Sequence, residues 1–183
     1  NTGIHLWKTN GTAAGTTQIS IPGFVDAGGY VYNMVATDNL LYIVVYSSLS
    51  NQYVLWRSDG TVPNTYILKS DIPAFFNLNL TPLGNTLFFT NYDDFNGEEL
   101  WKTEGTIAFT GLVKDIFPGN SGAYPSNLFN FNGKLYFEAS DGQAPFGNTL
   151  WTSDGTDAGT RKVKAILVQY PAFAQAHGKL FFA

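Results

Sequence analysis

A seven-residue segment that recurs four times constrains the fold of this chain more than any other feature. Each copy starts with Leu-Trp, has Ser or Thr two residues after the Trp, and ends with Gly-Thr. The copies are Leu6–Thr12, Leu55–Thr61, Leu100–Thr106 and Leu150–Thr156, and their tryptophans are 49, 45 and 50 residues apart. Self-similarity at such a period is typical of solenoids, propellers and other repeat arrays, so we interpret the whole chain as tandem repeats.

Two further features recur in step with this segment. A threonine lies four residues after each Gly-Thr, and a Leu-aromatic-apolar run ends each repeat, at 41–43, 87–89, 135–137 and 180–182. The apolar runs are short, rich in β-branched and aromatic residues, and bounded by Gly, Asn, Asp and Pro, which predicts strands. Gly and Pro recur too often for long helices.

We predict four strands, A to D, in each repeat. Strand B is the Leu-aromatic run, strand C ends at Leu-Trp, and strand D follows the threonine. The Asn-Gly or Asp-Gly turn between C and D favours left-handed backbone, which we take as the reason for its Asn and Asp residues. The predicted A strands are Tyr32–Ala36, Asn77–Leu83, Ser126–Phe131 and Pro171–Ala176.

Four strands in about 45 residues match one propeller blade. We therefore expect an all-β chain in which residues 1–183 form a single β-propeller domain or propeller segment, built from four four-stranded repeats. The chain begins just before a strand C and ends just after a strand B, so we expect the two ends to share one blade. The arrangement is either a closed four-bladed ring or part of a larger propeller.

The third copy extends to Glu99–Thr106, with Leu112-Val113-Lys114-Asp115-Ile116 behind it. This pattern resembles the bacterial ELWxxDGT repeat family, as does the fourth copy with Asp157-Ala158-Gly159-Thr160 after it. The resemblance implies propeller-type repeats in a secreted or cell-surface bacterial protein, and it implies no particular reaction.

Composition excludes several functional classes. A net charge of −4 provides no basic surface for nucleic acid and no polybasic segment for an anionic membrane. The longest apolar run is too short to be inserted across a bilayer. The absence of cysteine excludes disulfides, thiolate metal sites and cysteine nucleophiles.

The repeated tryptophans allow two interpretations. Tryptophan faces stack on sugars, so Trp7, Trp56, Trp101 and Trp151 are candidate ligand-binding residues of a lectin propeller. One Trp per repeat at a fixed strand position is, however, what packing between blades requires, and we favour that structural role.

Calcium is the only cofactor that the sequence suggests, and only weakly. One candidate set is the acidic cluster before the third Leu-Trp; the alternative is a solvated hairpin tip. Its possible ligands are Asp93, Asp94, Asn96 and Glu98. A second candidate, through Asp59 and Asp154 in the repeated turns, is weakened by Asn10 and Glu104 at the same position.

No catalytic motif is present in the sequence, and the two histidines, His5 and His177, each have an ordinary structural interpretation beside a strand or turn. We therefore expect a non-catalytic binding or scaffolding propeller of a bacterial secreted or cell-surface protein. Its partner is a protein or a glycan. A carbohydrate-binding lectin is the first alternative, and a polysaccharide-active enzyme with paired carboxylates is the second.

Overall fold

The computed structural model describes residues 4–24, 28–74, 77–143, 148–167 and 173–182. The described residues form antiparallel sheets and one short 3-10 helix, Ile107–Phe109. None of the helices in this part of the chain has the length and apolar character of a membrane span. The prediction of an all-β chain is confirmed.

Three sheets have four strands each, in chain order. We number the sheets along the chain, so these three are the second, third and fourth. The second sheet contains β3 to β6, the third contains β7 to β10, and the fourth contains β11 to β14. Their bounds are β3 Tyr30–Ala36, β4 Leu41–Ser47, β5 Gln52–Ser58, β6 Tyr66–Pro73; β7 Thr81–Leu83, β8 Thr86–Asp93, β9 Gly97–Thr103, β10 Thr110–Lys114; β11 Ser126–Phe131, β12 Lys134–Ala139, β13 Thr149–Ser153, β14 Arg161–Leu167.

Two further sheets have only two strands. The first half-sheet pairs β1 (Leu6–Lys8) with β2 (Thr17–Ile19), which correspond to strands C and D. The last half-sheet pairs β15 (Ala174–Ala176) with β16 (Lys179–Phe181), which correspond to strands A and B. Strand C is longer than predicted, because β5, β9 and β13 each continue two residues beyond the tryptophan.

Strand A of the third sheet is shorter than predicted. Only Thr81–Leu83 pairs with β8. The preceding segment is held differently, since the Thr90 amide donates to the Leu78 carbonyl at 2.9 Å and the Thr90 hydroxyl donates to Asn77 at 2.6 Å. The predicted strand from Asn77 is therefore wrong in its first residues, where one backbone bond and one side-chain bond stand in place of a regular ladder.

The chain divides into two compact units. The first contains Asn1–Phe75 and Gly105–Ile107, and the second contains Phe76–Glu104 and Ala108–Ala183. In the first unit, residues of the first half-sheet and the segment after it pack against one face of the second sheet. The core residues there are Leu6, Ile19, Phe24, Ile43, Val45 and Trp56.

The second unit has its own core, to which the third and fourth sheets both contribute. The buried residues are Phe88, Leu100, Val113, Ile116, Ala123, Leu135, Phe137, Ala139 and Trp151. Burying one such large apolar side chain is worth about 1.5–3 kcal/mol, so this contact between consecutive repeats is a main source of stability.

Candidate functional site

The repeated turn between strands C and D is a closed hydrogen-bonded network. In the fourth sheet the Asp154 carboxylate accepts the Thr156 amide at 2.9 Å and the Thr156 hydroxyl at 2.7 Å. The hydroxyls of Ser153 and Thr160 are 2.7 Å apart, and the Thr160 hydroxyl also bonds the Thr156 carbonyl. These bonds explain the Asp-Gly-Thr spacing and the threonine four residues later.

The same bonds form in the first and second repeats. Asn10 accepts from the amide and hydroxyl of Thr12, and Asp59 accepts from the amide and hydroxyl of Thr61. The Thr61 bonds hold the pKa of Asp59 below its usual value. The carboxylate is therefore already engaged by its own turn, which leaves it poorly placed as a calcium ligand.

Our explanation of Asn and Asp by left-handed backbone is wrong. Asn10, Asp59 and Asp154 are absent from the described non-glycine residues with positive φ; the glycine after each carries it, for example Gly60 at 88°. Asn and Asp are present because each has an acceptor oxygen at the right reach. Glu104 differs in forming an ion pair with Lys102 at 3.1 Å.

Consecutive repeats of the first unit are also linked through this turn. The Lys8 ammonium donates to the Gly60 carbonyl at 2.8 Å. The Arg57 guanidinium donates to the carbonyl of Gly105, which belongs to the same unit, at 3.1 Å. The basic residue after the tryptophan thus bonds the glycine of the following turn.

The four tryptophans differ in their surroundings. Trp56 is buried in the core of the first unit, with its ring 5.4 Å from that of Phe24. Trp151 is buried in the core of the second unit, and Trp101 is half-buried beside Phe89. Trp7 is 57% exposed and lines a groove of about 290 Å³ that also contains Asp59. Trp7 alone of the four has the exposure that a stacking ligand needs.

The acidic segment before the third Leu-Trp is a hairpin tip only in part, because Asp94 and Phe95 are exposed in the turn between β8 and β9 while the two glutamates are not. The Asp93 carboxylate accepts the amides of Phe95 and Asn96, both at 2.8 Å, and so caps its own turn. Glu98 and Glu99 are buried in β9. In the described part of the chain, no three His, Cys, Asp or Glu side chains converge as metal ligands, and Asp93, Asp94 and Glu98 form no such set.

Three carboxyl groups of the second unit are buried. Burial raises the pKa of Glu98, Glu99 and Glu138 to about 7. Glu99 is held in place because its Oε1 accepts the amides of Phe117 at 2.9 Å and Ala123 at 3.1 Å. The acid at the start of the third motif therefore fixes the segment that leads from β10 to β11.

A group of four tyrosines on the second sheet is a further, partly exposed aromatic surface. We define the tyrosine cluster as Tyr30, Tyr32, Tyr46 and Tyr53. Tyr30, Tyr46 and Tyr53 occupy one row across β3, β4 and β5. The ring centroids of Tyr30 and Tyr46 are 4.9 Å apart, and those of Tyr32 and Tyr53 are 4.5 Å apart.

A β-bulge brings the fourth ring into this cluster. The β3–β4 register shifts between Val31 and Asn33, so Tyr32 lies at the irregularity and turns beside Tyr53. Tyr30 is 46% and Tyr32 is 41% exposed, while Tyr53 is buried. Burial, followed by the neighbouring Tyr32 and Tyr30, raises the pKa of Tyr53 to about 12. Tyr53 is therefore neutral near neutral pH. The half-exposed rings of Tyr30 and Tyr32 are the part of the cluster that is available for contact.

Sequence reasoning missed this cluster because it treated the tyrosines as ordinary strand residues. The pattern Tyr30-x-Tyr32 in a strand beside two more tyrosines was a usable signal, since cross-strand partners share a face. The bulge that adds Tyr32 has no marker in the sequence. His5 is an exposed residue just before β1. His177 lies in the turn between β15 and β16 and lines a groove of about 330 Å³ with Asn132 and Gln175.

No protein-family model matches this sequence, and a search of curated proteins found no match. Among solved structures, the chain is similar to the dipeptidyl peptidase 4 of Porphyromonas gingivalis, with a TM-score of 0.55 and 15% sequence identity. The likeness covers 82% of this chain and 22% of that one. Identity at this level shows the fold alone. The chain therefore has a β-propeller-like fold.

Proposed function

We propose that the chain is a non-catalytic binding and scaffolding module of a bacterial secreted or cell-surface protein. One contrast carries the proposal. The repeated polar residues are engaged within their own turns, whereas the tyrosine cluster is found on one sheet of the described residues and presents two half-exposed rings. A feature that the repeat does not require, and that exposes aromatic surface, is the best candidate for recognition.

The class of partner is a protein or a glycan. Tyrosine supplies large contact area at low conformational-entropy cost, which suits a peptide or protein surface. A lectin role is the second candidate, because flat rings with hydroxyls also stack on sugars. An enzymatic role has less support: in the described residues, the grooves beside Trp7, Phe24 and His177 hold no pair of carboxylates.

The test compares labelled wild-type protein with the double variant Tyr30→Ala/Tyr32→Ala on a glycan array and on a peptide array. Phe95→Ala is the control, because Phe95 is a highly exposed aromatic on a different hairpin. We expect binding on one array that the double variant loses and the control retains. Silence on both arrays, or binding that survives in a folded double variant, contradicts the proposal.

The location and family assignment belong to the same proposal. The repeat resembles ELWxxDGT sequences, and this resemblance supports an extracellular or surface location. We also propose that the two half-sheets share one blade in a closed four-bladed ring; the alternative is that the chain is part of a larger propeller. Trp7 and Phe181 are exposed at these half-sheets, as expected of surfaces that a complete blade covers. A Lys8→Cys/Phe181→Cys double variant tests the four-bladed ring, which predicts an intramolecular disulfide between the two half-sheets. Failure to form this disulfide would contradict the ring.

A further inference from the structure

Two polar residues face each other inside the third sheet. Asn91 of β8 and Glu99 of β9 are direct partners in the antiparallel ladder, so their side chains lie on the same face. Asn91 is 1% exposed and Glu99 is 0% exposed. A buried polar pair is costly unless every polar atom has a partner.

Several of these polar atoms have none. Both atoms of the Asn91 amide, and Oε2 of Glu99, are buried without a hydrogen-bond partner. Oδ1 of Asp115, just after β10, is also buried without a hydrogen-bond partner. Asp115 lies two residues before Phe117, whose amide donates to Oε1 of Glu99 at 2.9 Å, so the chain brings Asp115 close to Glu99. Burial, and to a smaller extent the charge of Asp115, raises the pKa of Glu99.

The fold does not demand polar residues at this place. Counted from the tryptophan, the corresponding pair is Val45 and Val54 in the second sheet. In the fourth sheet it is Ala139 and Thr149, and there the Thr149 hydroxyl donates to the Ala139 carbonyl. Among these three described sheets, only the third has at this pair a carboxylate oxygen and an amide oxygen without a partner, namely Oε2 of Glu99 and Oδ1 of Asn91. The polar pair therefore needs an explanation beyond the sheet.

We propose that Asn91, Glu99 and Asp115 form a binding site for calcium in the second unit. Two carboxylates and one amide oxygen are hard ligands of the kind that Ca²⁺ selects, and their two negative charges balance its charge. Glu99 is preorganised, since its Oε1 is fixed by the amides of Phe117 and Ala123 while Oε2 stays available. Backbone carbonyls and water complete the six to eight ligands that calcium takes.

This site is distinct from the acidic hairpin that the sequence suggested. Asp93 there accepts the amides of its own turn, whereas Oδ1 of Asn91, Oε2 of Glu99 and Oδ1 of Asp115 have no hydrogen-bond partner. Calcium is favoured over magnesium because Mg²⁺ demands near-octahedral geometry and releases its water reluctantly. The competing explanation is a proton shared between Glu99 and Asp115, which needs no metal.

The experiment measures thermal unfolding and calorimetric titration of the whole chain, first in EDTA and then with calcium chloride. At a calcium concentration about 100 times Kd, we expect the Tm to rise by about 5–10 °C. Asp115→Asn removes one charge from the site, and we expect at least about tenfold weaker binding. Asn91→Asp adds a third carboxylate, and we expect tighter binding than in the wild type.

Two controls separate this site from other acids. Glu138→Gln alters a buried carboxyl with an unpartnered oxygen that is not in the site, and Asp94→Asn alters the acidic hairpin. Both are expected to keep the wild-type calcium response. The proposal is overturned if calcium leaves the wild-type Tm unchanged, or if a folded Asp115→Asn variant binds as tightly as the wild type. Where Asp115→Asn does not fold, an Asn91→Asp affinity no higher than that of the wild type also overturns it.

Discussion

The second and third sheets share one plan but use it differently. Both have four antiparallel strands in chain order, and both carry the repeated tryptophan in strand C. Immediately before the Leu-Trp pair the second sheet has Tyr53 and Val54, whereas the third has Glu98 and Glu99. The second sheet therefore combines an apolar core face with an exposed aromatic cluster, and the third buries carboxyl groups.

This difference teaches that the repeat fixes the backbone but leaves the residues before the tryptophan free to change. Turn chemistry keeps strands C and D in register in either case, because Ser58 with Thr65 and Thr103 with Thr110 form the same hydroxyl pair. Specialised surfaces and buried sites can then differ from one sheet to the next without loss of fold.

The largest expected effect concerns the shared tryptophan. Trp56→Ala removes a buried ring from the core of the first unit, and we expect a loss of about 3–5 kcal/mol in the free energy of unfolding. Trp101→Ala acts at a half-buried ring of the third sheet, so a loss of about 1–3 kcal/mol is expected. Denaturant titration of both variants measures the difference. Equal losses would show that the two tryptophans have the same structural role.

The carboxyl groups of the third sheet give the next effect. Glu99 has a pKa of about 7 in the folded protein against 4.5 ordinarily, so the folded state holds its proton more firmly. The contribution of protonated Glu99 to the free energy of unfolding is complete below pH 4.5 and is lost as the pH rises through 7. In EDTA, the free energy of unfolding is expected to fall between pH 4 and 8 by roughly 1–3 kcal/mol less in Glu99→Gln than in the wild type.

The control for this pH dependence is Glu104→Gln, which changes an exposed carboxylate of the same sheet. Denaturant titrations at intervals between pH 4 and 8 are expected to give the wild-type slope for the control. An unchanged slope in Glu99→Gln would show that this carboxyl group is ionised in the fold at ordinary pH.

The smallest expected effect concerns the turns between strands C and D, which differ between the second and third sheets. Asp59→Ala removes the acceptor of the Thr61 amide and hydroxyl, and we expect the Tm to fall by roughly 2–4 °C. Asp59→Asn is expected to be close to neutral, because Asn10 makes the same two bonds in the first repeat. Glu104→Ala breaks an exposed ion pair with Lys102, which contributes little. A larger fall for Glu104→Ala than for Asp59→Ala would invalidate our account of the turn.

Much of the fold was predictable from the motif, because its residues encode local structure. The position of strands B, C and D follows from the Leu-aromatic run, the tryptophan and the threonine. Strand A of the third sheet was overestimated, since Asn77 bonds the Thr90 hydroxyl instead of continuing a ladder. That competition between side chain and ladder has no signature in hydrophobic patterning.

The candidate sites were less predictable because they depend on pairing across strands. Tyr30 and Tyr46 are separated in sequence and become neighbours only through the register of β3 and β4. Glu98 and Glu99 follow a run of polar residues, which suggested a solvated tip, yet the ladder carries both into the sheet. Hydrophobic periodicity finds strands but does not identify a buried acid.

The hydroxyl and carboxylate bonds of each turn have a consequence for how such a chain grows in evolution. In the fourth sheet they all fall between Ser153 and Thr160. A gene duplication that copies this short stretch copies the complete instructions for the hairpin. Arrays of this type can therefore gain or lose whole units without reinventing the joints, and each new copy is free to acquire its own ligand.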